Sequence, residues 1–272
     1  MVSKALNTTV ILLQRIEVDG INLPVACAGF DRLYVGLSGG ISLITEEGVT
    51  QQVIFTEGMV CSIHIVDELF YTLSHSCVDS TWSVRVYDST FIVREWKHID
   101  IKEQSLNQLA IVEGNVFIPD RINKLIVRYS TSGKVIGRMF HSTLTDGPVR
   151  LCAMSHIPSL VLVNGSTVSR LDASMGCHCV WANDCMDEST AVCCGAGDRV
   201  YVVIGRWCTN PMVAVLDGQT GEWSSYIRSP DEWMVSSGRS FIVLTSLFYT
   251  KILNTLTPNN SLNIVHCSAH VL

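Results

Sequence analysis

The chain has 272 residues, of which 47% are hydrophobic and 16% charged, a composition that supplies a large buried interior and excludes a disordered chain. Its formal net charge of −6 opposes nonspecific attachment to a phosphate backbone. The longest apolar runs are strand-sized, far short of the roughly 20 residues a membrane helix needs, so no membrane insertion is expected.

The first segment, "MVSKALNTTVILLQRIEVDG", has one early lysine and a short apolar run that Gln14 and Arg15 interrupt, with no small-residue cleavage site behind it. It reads as a strand over residues 10–16 rather than a secretory leader. The eleven cysteines are odd in number and scattered through strand-like segments, whereas disulfide frameworks belong to short secreted chains with small cores. Reduced thiols and a cytoplasmic, intracellular setting are therefore expected.

Downstream, six segments share one form, an apolar strand opening just after a turn: "DRLYVGLS" at 31, "DELFYTLS" at 67, "GNVFIPDR" at 114, "PSLVLVNG" at 158, "DRVYVVIG" at 198 and "RSFIVLTS" at 239. Their equivalent positions, Leu33, Leu69, Val116, Leu160, Val200 and Phe241, are spaced by 36, 47, 44, 40 and 41 residues, near the ~40–50-residue period of a four-stranded propeller blade. In each unit a small-residue strand precedes this one. Cys27, Cys61, Cys152 and Cys194 fall six or eight residues before the shared position, where innermost strands crowd and a thiol serves as a small hydrophobe. A third strand follows, as in "ISLIT", "WSVRVYD", "KLIVRYS", "TVSRLD", "MVAVLD" and "YTKILNT", with half-buried alternation. Turns such as "STSGK" and "DGQTGE" then place Gly48, Gly133, Gly176 and Gly221 before a fourth strand, where positive φ is wanted.

The expected fold is all-β: one domain over residues 1–272, a single six-bladed β-propeller of four-stranded antiparallel blades, closed by the N-terminal strand 10–16 joining the last blade. The terminal "SLNIVHCSAHVL" fits the same place, and the sequence leaves that choice open.

The stretch "DRVYVVIGRWCTNPMVAVLDGQTGEWSSY" at 198–226 resembles a kelch-type or quinoprotein-type blade through Tyr201, the turn from Asp217 to Gly221, and Trp223; it lacks the kelch double glycine. The stretch "NKLIVRYSTSGKVIGRMF" at 123–140 resembles an NHL-type blade. No single family motif recurs in all six units, so the resemblance is to the propeller superfamily. It implies a rigid disc whose loops bind partners, and it carries over no catalytic residue.

Gly36-Leu37-Ser38-Gly39-Gly40 matches the G-x-S-x-G serine-hydrolase pattern, but an elbow requires a helix after the serine and both flanks here read as strands. Cys177, His178, Cys179, Cys185, Cys193, Cys194 and Cys208 are rich in soft ligands, yet the spacing fits no zinc finger, and buried thiols explain it. His266 and His270 read as a strand end. Some six-bladed propellers are calcium-dependent lactonases, with oxygen ligands gathered at the axis. Here Asp31, Asp67, Asn115 and Asp198 sit at turns, their ordinary place.

Between Arg85 and Arg150 there are ten Lys or Arg against seven Asp or Glu. Arg85, Arg94, Lys97, Arg121, Lys124, Arg128, Lys134 and Arg138 form a candidate basic interaction surface. The expected function is a non-catalytic protein–protein interaction scaffold in a larger assembly, not an enzyme, with no cofactor, no metal and an unidentified protein partner. The alternatives are an NHL-like RNA-binding propeller and, further off, a metal-dependent six-bladed hydrolase.

Overall fold

The computed structural model describes residues 7–17, 25–28, 32–44, 50–76, 78–88, 90, 92–97, 99, 101, 108–142, 144, 149–154, 157–164, 167–172, 174, 178–182, 189–194, 198–204, 212–228, 240–245, 250–255 and 261–270, several of them as backbone only. Every strand pairing among them is antiparallel, and the strands fall into separate sheets that follow one another along the chain.

The N-terminal strand is β1 (Asn7–Glu17). One six-stranded sheet then contains, in sequence order, β2 (Val25–Ala28), β3 (Arg32–Ile44), β4 (Thr50–Val66), β5 (Leu69–His75), β6 (Trp82–Tyr87) and β7 (Ile92–Lys97). Two predicted units meet here without the breaks the sequence suggested. The first half of β3 pairs with β2 and its second half with β4, and the register shifts between Ser38 and Gly40, where Gly39 has φ +91°. In the same way β4 serves β3 with its first half and β5 with its second. Bulges let one strand change partners without leaving the extended state. With strand on both sides of Ser38 and no helix, the hydrolase elbow is absent.

Three four-stranded sheets follow. The first holds β8 (Ala110–Val112), β9 (Asn115–Asp120), β10 (Leu125–Tyr129) and β11 (Val135–Phe140). The second holds β12 (Val149–Ala153), β13 (Ser159–Asn164), β14 (Thr167–Asp172) and β15 (His178–Ala182). The third holds β16 (Ser189–Cys194), β17 (Arg199–Ile204), β18 (Met212–Asp217) and β19 (Trp223–Arg228).

Turn chemistry sets the joints. Asp67 and Glu68, with φ of 50° and 63°, make a two-residue hairpin between the paired Val66 and Leu69. Glu113 and Gly114 do the same between Val112 and Asn115. Positive φ at both central residues matches the twist of the flanking strands. In the "DGQTGE" turn, Asp217 Oδ1 accepts hydrogen bonds from the amides of Gln219 and Thr220, both at 2.8 Å. Those amides stabilise the carboxylate and hold its pKa below the usual range.

The apolar content goes between sheets. In β9, Val116 and Ile118 face one core cluster, shared with Leu73, Val84 and Trp96, while Phe117 faces the next, shared with Leu151 and Leu160. In β13, Leu160 and Leu162 face that second cluster while Val161 and Val163 face a third, with Val192, Val200 and Leu216. Successive side chains of a strand point to opposite faces, so strands apolar on both faces force sheets to stack face to face.

The last sheet contains β20 (Ser240–Thr245), β21 (Thr250–Thr255) and β22 (Ser261–His270), in the order β1-β22-β21-β20. The two terminal segments, read from sequence as competitors for one place, occupy adjacent places, with Asn7 opposite His270 and Glu17 opposite Ser261. Residues 240–245, read as a second strand, form the end strand of this sheet instead. The small-residue strand expected before them lies outside the described residues.

Candidate interaction surface

The basic residues named from sequence separate into distinct environments. Arg85, on β6, is 8% exposed, and its Nε donates to Glu95 Oε1 at 2.7 Å. Burial works against its charge, but Glu95 and Tyr87 together outweigh this and raise its pKa. Burial also raises the pKa of Tyr87, against the opposing pull of Arg85. A buried, paired guanidinium offers no charge to a partner, which removes Arg85 from the proposed face. Lys97 lies in β7, with its side chain outside the described set.

Arg94 is exposed but donates from Nη1 to the Thr131 carbonyl at 3.1 Å, tying β7 to the β10–β11 turn of the next sheet. The tie is close because of Gly133. Its φ is +83°, and an added Cβ would stand 2.6 Å from Cγ of Trp96. Trp96 is 8% exposed and stacks on Tyr129 at 6.3 Å between ring centroids.

The remaining residues surround β10 and β11. Arg128 lies with its guanidinium carbon 5.8 Å from the centre of the Phe117 ring. Arg121 and Lys124 belong to the β9–β10 turn, which buried Asp120 holds by accepting from Asn123 N at 3.2 Å and Asn123 Nδ2 at 2.7 Å. Lys124 is exposed at φ 54°. Lys134 and Arg138 are exposed as well, and they alternate with two residues the sequence reading missed, Ile136 at 47% and Phe140 at 66% exposure. Ile122, in the β9–β10 turn, adds 58%. On β11, Val135 and Met139 pack on the cores while Lys134, Ile136, Arg138 and Phe140 face outward. Among the described residues no strand pairs with the outer side of β11.

A second outer row, Val53 and Phe55 on β4, is exposed at 39% and 76% but carries no basic residue. On the inner half of β4, His64 is held neutral by burial, which lowers its pKa to about 4. Of the soft-ligand region, Cys177, Cys185 and Cys208 lie outside the described residues, and the side chains of His178, Cys179, His266 and His270 do as well. Among the described residues no group of three or more His, Cys, Asp or Glu could hold a metal ion, and no helix is long and apolar enough to cross a membrane.

The chain is all-β, built of antiparallel sheets stacked in chain order, and the solved structures similar to it are β-propellers. A virginiamycin B lyase from Staphylococcus aureus, solved in a catalytically inactive form with quinupristin, is similar with a TM-score of 0.63 at 12% identity, over 95% of this chain and 99% of its own. A chain from the mitotic checkpoint complex is similar with a TM-score of 0.60 at 11% identity, over 100% and 94%. A chain from the nidogen–laminin complex gives 0.62 at 11%, over 83% and 89%. No protein-family model matches the chain, and no curated protein sequence does.

The expectation that the chain is not an enzyme is overturned. The virginiamycin B lyase and a streptogramin B lyase, the latter with a TM-score of 0.61 at 8% identity, put catalysis on this fold over nearly the whole chain length. The two propellers from protein complexes show the same fold in protein recognition.

Proposed function

We propose that the chain is a protein-interaction propeller, a single domain of six four-stranded blades, whose docking edge is the outer strand β11. Support for a ring comes from the inner strands: β2 touches β4, β4 touches β8, and contacts continue through β12, β16 and β20 back to β2. In this reading the six-stranded sheet is two blades joined through β4, and the sixth blade runs β20, β21, β22, β1.

The observation that carries the docking proposal is the outward row Lys134, Ile136, Arg138 and Phe140 on a strand whose outer side has no strand partner among the described residues. Natural sheets protect such edges, and basic residues there deter self-pairing. They also select the partner. An extended segment adding to β11 would gain main-chain hydrogen bonds, with alternate acidic and apolar side chains meeting the alternate basic and apolar ones.

The test is titration of the full chain with an extended peptide carrying glutamate and an aliphatic residue in turn at every second position, so that both lie on one face, compared across wild type, Phe140→Ser and Arg138→Glu. Burying the rest of a Phe ring is worth about 1.5–3 kcal/mol at full extent, so Phe140→Ser should weaken binding about tenfold. Arg138→Glu should weaken it too and remove most of its salt dependence. Equal binding by all three proteins, or single-stranded RNA outcompeting the peptide, would overturn the proposal.

A further inference from the structure

Side chains tie three successive inner-strand junctions. Between the β4 and β8 sheets, Ser62 Oγ accepts from Leu109 N at 3.2 Å. Between the β8 and β12 sheets, Gln108 Oε1 accepts from Leu151 N at 2.6 Å. At the next junction the tie is made of sulfur: Cys152 Sγ, beside β13 in its sheet, lies 3.1 Å from Cys194 Sγ at the end of β16. Cys152 stands at the repeat position that Gln108 fills in the preceding unit, eight residues before the shared Leu160 and Val116. The two inner strands are themselves in contact. Neither cysteine is in a disulfide; Cys152 is buried and Cys194 partly exposed.

We infer that Cys152 and Cys194 form an oxidisable dithiol, a modification site where a small-molecule disulfide stitches the inner strands of two neighbouring blades together. The sulfurs are already held close on strands that contact each other, and covalent bonding at about 2.0 Å requires about 1 Å of closure. Exposure assigns the order of events. The Cys194 thiolate attacks one sulfur of the small disulfide, forming a mixed disulfide and releasing one small thiol. Cys152 then attacks Cys194 Sγ, its proton passing to the second departing small thiolate. Two protein S–H bonds are lost, one S–S bond forms, and one small disulfide is reduced to two thiols. The crosslink encloses β13, β14, β15 and β16, so it restricts the unfolded chain there.

The experiment incubates the intact folded chain with oxidised glutathione, blocks remaining thiols, and maps disulfides by peptide mass spectrometry, with thermal unfolding recorded before and after and again with added dithiothreitol. The expected result is a single Cys152–Cys194 crosslink, a raised unfolding midpoint, and reversal of both by the reductant. Cys152→Ser should leave Cys194 as a persistent mixed disulfide with glutathione, because the resolving thiol is gone. Wild-type mapping decides the question even where that variant folds poorly. Glutathione adducts at either residue without the crosslink, a crosslink from either to another cysteine, or no reaction at either site in the folded chain would each overturn the inference.

Discussion

Strands β7 and β11 are the outer strands of successive sheets, and they meet opposite fates. The row on β7 is closed over: Trp96 is 8% exposed against Gly133, and Arg94 reaches the Thr131 carbonyl of the neighbouring turn. The row on β11 stays open, with Phe140 at 66% exposure. The difference is supplied from outside each strand. A turn containing a left-handed glycine can lie flat on an indole, and β7 has such a neighbour. A propeller rim is therefore uneven, and its open segments are where a partner can gain apolar burial without displacing an existing contact.

Four measurements would break or sharpen this contrast. The largest effect is expected from Trp96→Ala, which empties the closed rim and should cost about 3–5 kcal/mol in urea unfolding. Gly133→Ala should follow: a left-handed conformation costs an L residue about 1–2 kcal/mol, and displacing the indole adds about 1–3. If Gly133→Ala is neutral, the turn is not what closes β7.

Acid should act on the sheet of β7 before that of β11. His64 has a folded pKa lowered from 6.5 to about 4 by burial, so the folded state binds fewer protons than the unfolded chain. Its contribution is present above pH ~6.5 and is lost as pH falls through about 4, by no more than about 3.4 kcal/mol. Hydrogen exchange across that window should show β4–β7 amides losing protection ahead of β9–β11 amides, and His64→Gln should flatten the pH dependence. The smallest effect is expected from Phe140→Ser, within about 0.5 kcal/mol of wild type by thermal unfolding, since the ring is mostly in solvent. A large loss there would mean that β11 is already covered.

Much of the fold was legible because its signals are local. The equivalent positions Val116, Leu160 and Val200 are fully buried, as their shared place in the repeat requires. The Asp217 turn forms where Asp and Gly promised it. Other features depend on what a residue meets across space. Arg85 and Arg138 both sit on strands rich in Val and Ile, and nothing local distinguishes the one that pairs with Glu95 in the interior from the one at the rim. Ile136 and Phe140 were missed for another reason: in "KVIGRMF" they share the outward face with Lys134 and Arg138, and large apolar residues in a strand read as core wherever they stand. The final sheet was misphased because two terminal strands fit one description, and only their mutual pairing separates them.

That mutual pairing also sets a timetable. The strand partner of β1 is β22, so residues 7–17 must wait for residues 261–270 to be made before they can pair. Pairing so remote in sequence raises contact order and defers the return on loop closure, which slows folding relative to the intervening hairpins. During that interval the N-terminal segment is an unpaired, aliphatic β-strand in a crowded cell, the kind of sequence chaperones hold. Moving residues 7–17 to follow residue 270 by circular permutation would make the pairing a local hairpin, and the permuted chain should refold faster and aggregate less during synthesis.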